Sequence, residues 1–310
     1  MVFSRILLPL DGSVHAEKSI LHAGRIARQF GSRVTLLRVL DGDAANGRTG
    51  SESIDWRLRR AEAERYLDGL GSDTRLDDVE VRKVLTEGKP ADRIADHVRR
   101  NDINLVVMSS WGAGGESRFP HGGTAFKVLS STPVSYLLVN ESGARNDAST
   151  YGRILVPLDG THKSEAAAQI SVALAAGTDA EILLCHVFIE PSMPRRRPLT
   201  ETEESIRQRL IECNQRVAAN YLEELRDHFC NQHRVRTRLE VASDPVTCLG
   251  DVSRQESPDL MVLTAWSESE RNGWCRKSIL QTLLARVSLP TLVIQGAIEK
   301  YGDVTSAGGQ

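Results

Sequence analysis

Ile6-Leu7-Leu8-Pro9-Leu10-Asp11-Gly12 stands near the start of the chain, and Ile154-Leu155-Val156-Pro157-Leu158-Asp159-Gly160 repeats it at an offset of 148, with six of the seven positions identical. Each copy is an apolar run of strand length that ends in an Asp-Gly turn, and Ser13 stands where it can cap a following helix. Ile20, Ala23, Ala27 and Phe30 recur every three or four residues, the spacing of a helix with one buried stripe. Val34 to Leu40 then reads as a strand, residues 41–53 as a polar glycine-rich loop, and Ile54 to Leu70 as a helix. An alternating strand over Val79 to Val84, the break Gly88-Lys89-Pro90, a helix over Ala91 to Arg100 and the apolar run Leu105-Val106-Val107-Met108 follow. A helical stretch near Ala125 to Leu129 and a strand over Val134 to Val139 complete the half. Alternation of strand and helix predicts a mostly parallel sheet covered on both faces.

The second half begins the same order again. Ile182 to Val187 matches the strand ending at Val39, a long helix is expected with Ile206, Leu210, Cys213, Val217, Tyr221 and Leu225 on its apolar face, and Leu260 to Leu263 is the partner of Leu105 to Met108. Thr291 to Ile294 is expected to close the second sheet. The period is a whole domain. The fold class expected is α/β, with two tandem open parallel five-stranded sheets and helices on both faces. Residues 1–140 form domain one, 141–150 a linker, 151–296 domain two and 297–310 a tail.

At 310 residues the chain can bury two cores of ordinary size. A formal net charge of -2 argues against a nucleic-acid footprint. Without a stretch of membrane-spanning length or a signal-peptide pattern, the expected setting is cytoplasmic. The five cysteines, all in the second half and without a Cys-x-x-Cys pair, read as reduced thiols. The eight histidines show no paired metal spacing, and no nucleophile elbow, Ser-His-Asp set or carboxylate pair presents itself for hydrolysis.

One stretch carries a binding signal. Ser109-Ser110-Trp111-Gly112-Ala113-Gly114-Gly115, running on to His121-Gly122-Gly123-Thr124, lies between an apolar strand and a helix. Glycine there lets backbone N–H groups approach an anion, and the helix adds the positive end of its dipole. Glycine-rich connections between strand and helix also occur without any ligand, so both readings stand on this loop alone.

Together these landmarks resemble the universal stress protein family in its tandem form, over nearly the whole length. The resemblance rests on the Pro-x-Asp-Gly-Ser turn after the first strand, the Leu-Leu-x-Val second strand, the Gly-x-Pro turn at Gly88 and Pro90, and the glycine loop. It implies an adenine nucleotide alpha hydrolase-like fold. Nucleotide-binding members carry Gly-x2-Gly-x9-Gly-Ser/Thr, onto which Ser109, Gly112, Gly122 and Gly123 fall without gaps, with Thr124 just beyond. The first glycine is therefore a serine, and the hydroxyl position is a glycine for which only Thr124 can substitute. By this resemblance Pro9, Leu10 and Asp11 sit at the ribose or adenine end, the Val39 backbone reads the adenine edge, and Gly112, Gly122, Gly123 and Thr124 hold the phosphates. The implied ligand is ATP or another adenine nucleotide, with Mg²⁺ accompanying ATP; no metal ligand of the protein is assigned. In an open parallel sheet the carboxyl ends of the strands are where such a ligand lies.

The second domain departs from the pattern. Its loop runs Thr264-Ala265-Trp266-Ser267 through residues 268–276 to Lys277-Ser278, with no pattern glycine kept, so nucleotide binding in the family manner is expected to fail there. Arg195-Arg196-Arg197 reads as a solvated tip beside Glu201, Glu203 and Glu204. The expected function is a regulatory protein that binds a nucleotide in domain one, with at most slow incidental ATP hydrolysis, no nucleic-acid or membrane partner, and an unidentified regulatory partner. A homodimer through last strands is the family habit, although the two internal halves can meet that need themselves. The competing readings are a nucleotide-independent scaffold and an ATP pyrophosphatase or ligase, the latter opposed by the absence of a Ser-Gly-Gly-x-Asp-Ser loop after strand one.

Overall fold

The structure, a computed structural model, describes residues 2–41, 54–110, 123–140, 150–190, 199–230, 233–265 and 277–295. In chain order the first half holds β1 (Arg5–Leu10), α1 (Val14–Phe30), β2 (Arg33–Leu40), α2 (Ile54–Leu70), β3 (Glu80–Glu87), α3 (Pro90–Arg100), β4 (Leu105–Ser109), α4 (Gly123–Ser131) and β5 (Ser135–Val139). The second holds β6 (Arg153–Leu158), α5 (His162–Ala175), β7 (Glu181–Phe188), α6 (Glu201–Phe229), β8 (Arg234–Val241), α7 (Pro245–Glu256), β9 (Leu260–Thr264), α8 (Lys277–Arg286) and β10 (Thr291–Ile294).

Two compact units result, one of residues Met1–Thr150 together with β10, the other built on Tyr151–Val287. The sheet of the first runs β3-β2-β1-β4-β5-β10. Its first five strands are parallel, and β10 pairs antiparallel with β5, Thr291 opposite Leu138. The last strand expected over Thr291 to Ile294 is present as β10. Ser135 Oγ donates to the Gln295 carbonyl and accepts from its N–H, and Asn140 Nδ2 donates to the Leu289 carbonyl, so β5 is covered as an edge. In the second unit β9, β6, β7 and β8 lie side by side in parallel.

Central strands here lack period-2 alternation because both faces are covered: Ile6, Leu7 and Leu8 are wholly buried, as are Leu105, Val106 and Val107. Helix α1 starts at Ser13, whose Oγ accepts from Ala16 N–H, and ends on Gly31 in the left-handed region, whose N–H bonds the Ala27 carbonyl. Pro90 opens α3, where its missing N–H costs nothing. A 3₁₀ turn over Thr74–Leu76 packs on α1 at Gly24, where an added Cβ would fall 2.1 Å from the Arg75 carbonyl oxygen. That backbone is anchored, since Arg28 Nη1 donates to the Arg75 carbonyl and Arg75 Nη1 to the Glu17 carbonyl. Gly24→Ala is therefore expected to cost about 1–3 kcal/mol through overpacking, read as a lower urea midpoint. Gly250→Ala, in α7 with open space around it, should be neutral or stabilising by comparison.

Helix α6 corrects the expected apolar face. Ile206, Leu210 and Val217 are more than half exposed and Cys213 is exposed too, while Ile211, Leu222 and Phe229 are buried. Tyr221 and Leu225, at the carboxyl end of the expected face, are partly buried, so only the amino-terminal part of that face is left exposed; spacing alone does not rank the two sides. Burial pushes the Cys185 thiol up to about 12, so it behaves as a small apolar side chain.

Candidate functional site

Every strand of the first unit's parallel set ends at one edge, and the groups with chemistry gather there. At the end of β1, Asp11 Oδ1 accepts from Ser13 N–H at 2.9 Å and from Ser13 Oγ at 2.6 Å. Gly12 turns the chain with φ +81°, a backbone that favours glycine. On the neighbouring strand β2, Val39 is half-exposed beside Leu40, whose carbonyl accepts from Gly88 N–H. Pro9 and Leu10 are buried, so their reach to this edge is through backbone. Strand β4 lies on the other side of β1, and the chain after it returns through α4, whose first residues Gly123 and Thr124 are exposed and half-exposed. A Cβ on Gly123 would meet nothing within 4 Å, so the start of α4 is open. Its first N–H groups have no partner within the helix and carry the positive end of its dipole. Gly112 and Gly122, with Trp111 and His121, lie outside the described residues, as do Arg195 to Arg197. Ser109 ends β4, and Ser110 holds it to β5, donating its N–H to the Val139 carbonyl and its Oγ to Asn140 Oδ1.

Two side chains absent from the motif reasoning complete this edge. Arg38 of β2 donates Nη1 to the Leu10 carbonyl at 3.2 Å, and its guanidinium lies 3.2–3.5 Å from where a Gly12 Cβ would be. It also sits 5.8 Å from the ring centre of Tyr66 on α2. Burial, reinforced by the Glu17 carboxylate, raises the Tyr66 hydroxyl above its ordinary range, so it stays protonated. Arg38 Nε is buried without a hydrogen bond. A charged side chain set among Leu36, Leu37, Val39 and Leu40 is the available signal for Arg38; Tyr66 gives none.

The second unit keeps the turn. Asp159 Oδ1 accepts from Thr161 N–H and Oγ1, Gly160 has φ +81°, and His186 stands at Arg38's place with Nδ1 donating to the Leu158 carbonyl at 2.8 Å. Tyr221 Oη donates to Glu165 Oε1 at 3.5 Å. Asp159 Oδ2 is buried without a partner. Residues 266–276 of the second loop lie outside the described residues.

The model of the universal stress protein family matches residues 3–140 and again 150–295. The chain belongs to this family. Among curated universal stress proteins, MJ0531 of Methanocaldococcus jannaschii is 25% identical over 142 residues, 45% of this chain and 84% of that protein. A Thermus aquaticus universal stress protein from the QAH/OAS sulfhydrylase 3′ region is 28% identical over 144 residues, 44% of this chain and 99% of that protein. Each spans about one repeat. A solved universal stress protein from Archaeoglobus fulgidus matches over 94% of this chain and 98% of its own, with TM-score 0.60 and 15% identity, which shows the shared tandem fold. Adenine-nucleotide binding is typical of universal stress proteins, which are generally non-catalytic regulators. No helix among the described residues is long and apolar enough to cross a membrane.

Proposed function

We propose that domain one, residues 1–140, binds ATP or another adenine nucleotide at the carboxyl edge of its sheet, and that the protein acts as a regulatory binding module. The observation that carries this reading is the convergence on one edge of the Asp11 turn, half-exposed Val39 and the open start of α4. Asp11 takes the sugar end, the Val39 backbone the base edge, and Gly112 with Gly122 to Thr124 the phosphates. The residues present suit an anionic ligand: Gly123 leaves room against backbone N–H groups, and Arg38 Nε lacks an acceptor. Mg²⁺ accompanies the phosphates as part of the ligand. Occupancy changes a surface read by a protein partner or a second copy. Domain two serves as a degenerate counterpart.

A nucleotide-independent scaffold is the second reading, favoured by Gly123 standing where the family pattern has a hydroxyl. Calorimetric titration of the full chain with Mg·ATP separates the two. Saturable one-to-one binding that is lost in Gly123→Trp is expected. Absence of heat, together with no nucleotide released on denaturing the purified protein, would leave the scaffold.

A further inference from the structure

The two units carry the same edge position with inverted charge. In the first, Arg33 of β2 stands in register opposite Glu80 of β3, with Nε 2.6 Å from Oε1. In the second, Glu181 of β7, at the position equivalent to Arg33, stands opposite Arg234 of β8 at 3.7 Å. Glu181 is largely buried and is also held by Arg153 at 2.8 Å and Arg236 at 3.3 Å.

Beyond this position the two strand pairs share two apolar positions. Val34 faces Val81 and Ile182 faces Val235; Arg38 faces Leu85 and His186 faces Leu239. A β2 strand therefore finds a valine second and a leucine sixth on either β3 or β8, and so does β7. A chain that builds one topology twice offers each outer strand a second partner with the same two apolar contacts, and misassembly between repeats is a characteristic failure of such chains. Charge separates the alternatives. Exchange would set Arg33 opposite Arg234 and Glu181 opposite Glu80, two like-charge pairs in place of two opposite ones. As a stabiliser the Arg33–Glu80 pair is weak, with side chains 49% and 65% exposed. Its sign, rather than its strength, distinguishes right from wrong partners.

We propose that the opposed polarity of Arg33–Glu80 and Glu181–Arg234 is a pairing code that sends each outer strand to its own repeat while the chain folds. The code is removed, with both native ion pairs kept, in the double variant Arg33→Glu/Glu80→Arg. Exchanged pairing then brings the carboxylate introduced on β2 to Arg234, and Glu181 to the guanidinium introduced on β3, both attractive. Its folded form should match the wild type in urea midpoint. On refolding from urea, however, the native fraction should fall by about threefold, and hydrogen exchange read by mass spectrometry should show two populations for peptides of β3 and β8. Arg33→Ala/Glu80→Ala, which deletes the pair without rewarding the wrong partner, should refold close to wild type. A polarity-reversed chain that refolds with wild-type yield and a single population overturns the proposal, as does an equal loss in the alanine variant. Should the reversed variant not fold, wild-type refolding decides: the native fraction should drop as salt is raised to about 1 M, and a yield independent of salt overturns the code.

Discussion

Asp11→Ala should weaken ATP binding by about 10- to 100-fold, while Asp159→Ala leaves it unchanged, because a hydrogen bond to a charged group is worth about 1.5–3 kcal/mol. The comparison is controlled by the duplication itself. Both carboxylates accept from the N–H and hydroxyl of the residue that caps the next helix, Ser13 or Thr161, so both truncations disturb one helix start in the same way. Only Asp11 stands at an edge with a glycine-bearing α4 start and a guanidinium beside it. Paired calorimetric titrations with urea denaturation of both variants therefore separate ligand contact from fold. Equal losses of affinity in the two variants, or none in either, would remove the single-site assignment.

Acid should destabilise the first unit, with the largest histidine contribution coming from His22. His22 of α1 is 1% exposed, and burial, helped by Arg25, holds its imidazole down at about 3. The unfolded chain titrates this group near its ordinary value of 6.5, so between these two values the unfolded state binds the extra proton. The contribution of His22 is complete above pH 6.5 and is lost as pH falls below it, at about 1.4 kcal/mol per pH unit. At about pH 4.5 the cumulative loss is about 2–3 kcal/mol. His22→Gln, which stays neutral, should flatten this part of the profile: urea midpoints of wild type and variant should converge, or cross, as pH falls from about 7 to about 4.5. Parallel profiles would show that the titration of His22 carries none of the acid sensitivity.

The legible part of the molecule is the part written locally. Strand runs, the Ser13 cap, the Gly88–Pro90 break and the 148-residue repeat each depend on neighbours in sequence, and all reappear at or near the expected positions. Asp11 and Val39 are legible as edge residues because a parallel sheet places every strand's carboxyl end on one side. Arg38 is not, since its partners, the Leu10 carbonyl and the Tyr66 ring, come from elements 28 residues away in sequence on either side. The exposed face of α6 escapes a reading of periodicity for a related reason: Ile206, Leu210 and Val217 have helical spacing, but so do Ile211, Leu222 and Phe229, and only the sheet beneath selects between them.

By itself the amino-acid order determined that this protein is a doubled α/β domain with an Asp-Gly turn at the head of each copy and a glycine-rich loop after the fourth strand in one copy alone. Tertiary structure decided that β10 lies antiparallel against β5, and that a guanidinium and a phenol flank the first turn. The physical reason is range. Periodicity and capping act over one or two turns of chain, whereas the pairing of Leu292 with Leu137 is a choice among edges that exist only once the sheets have formed.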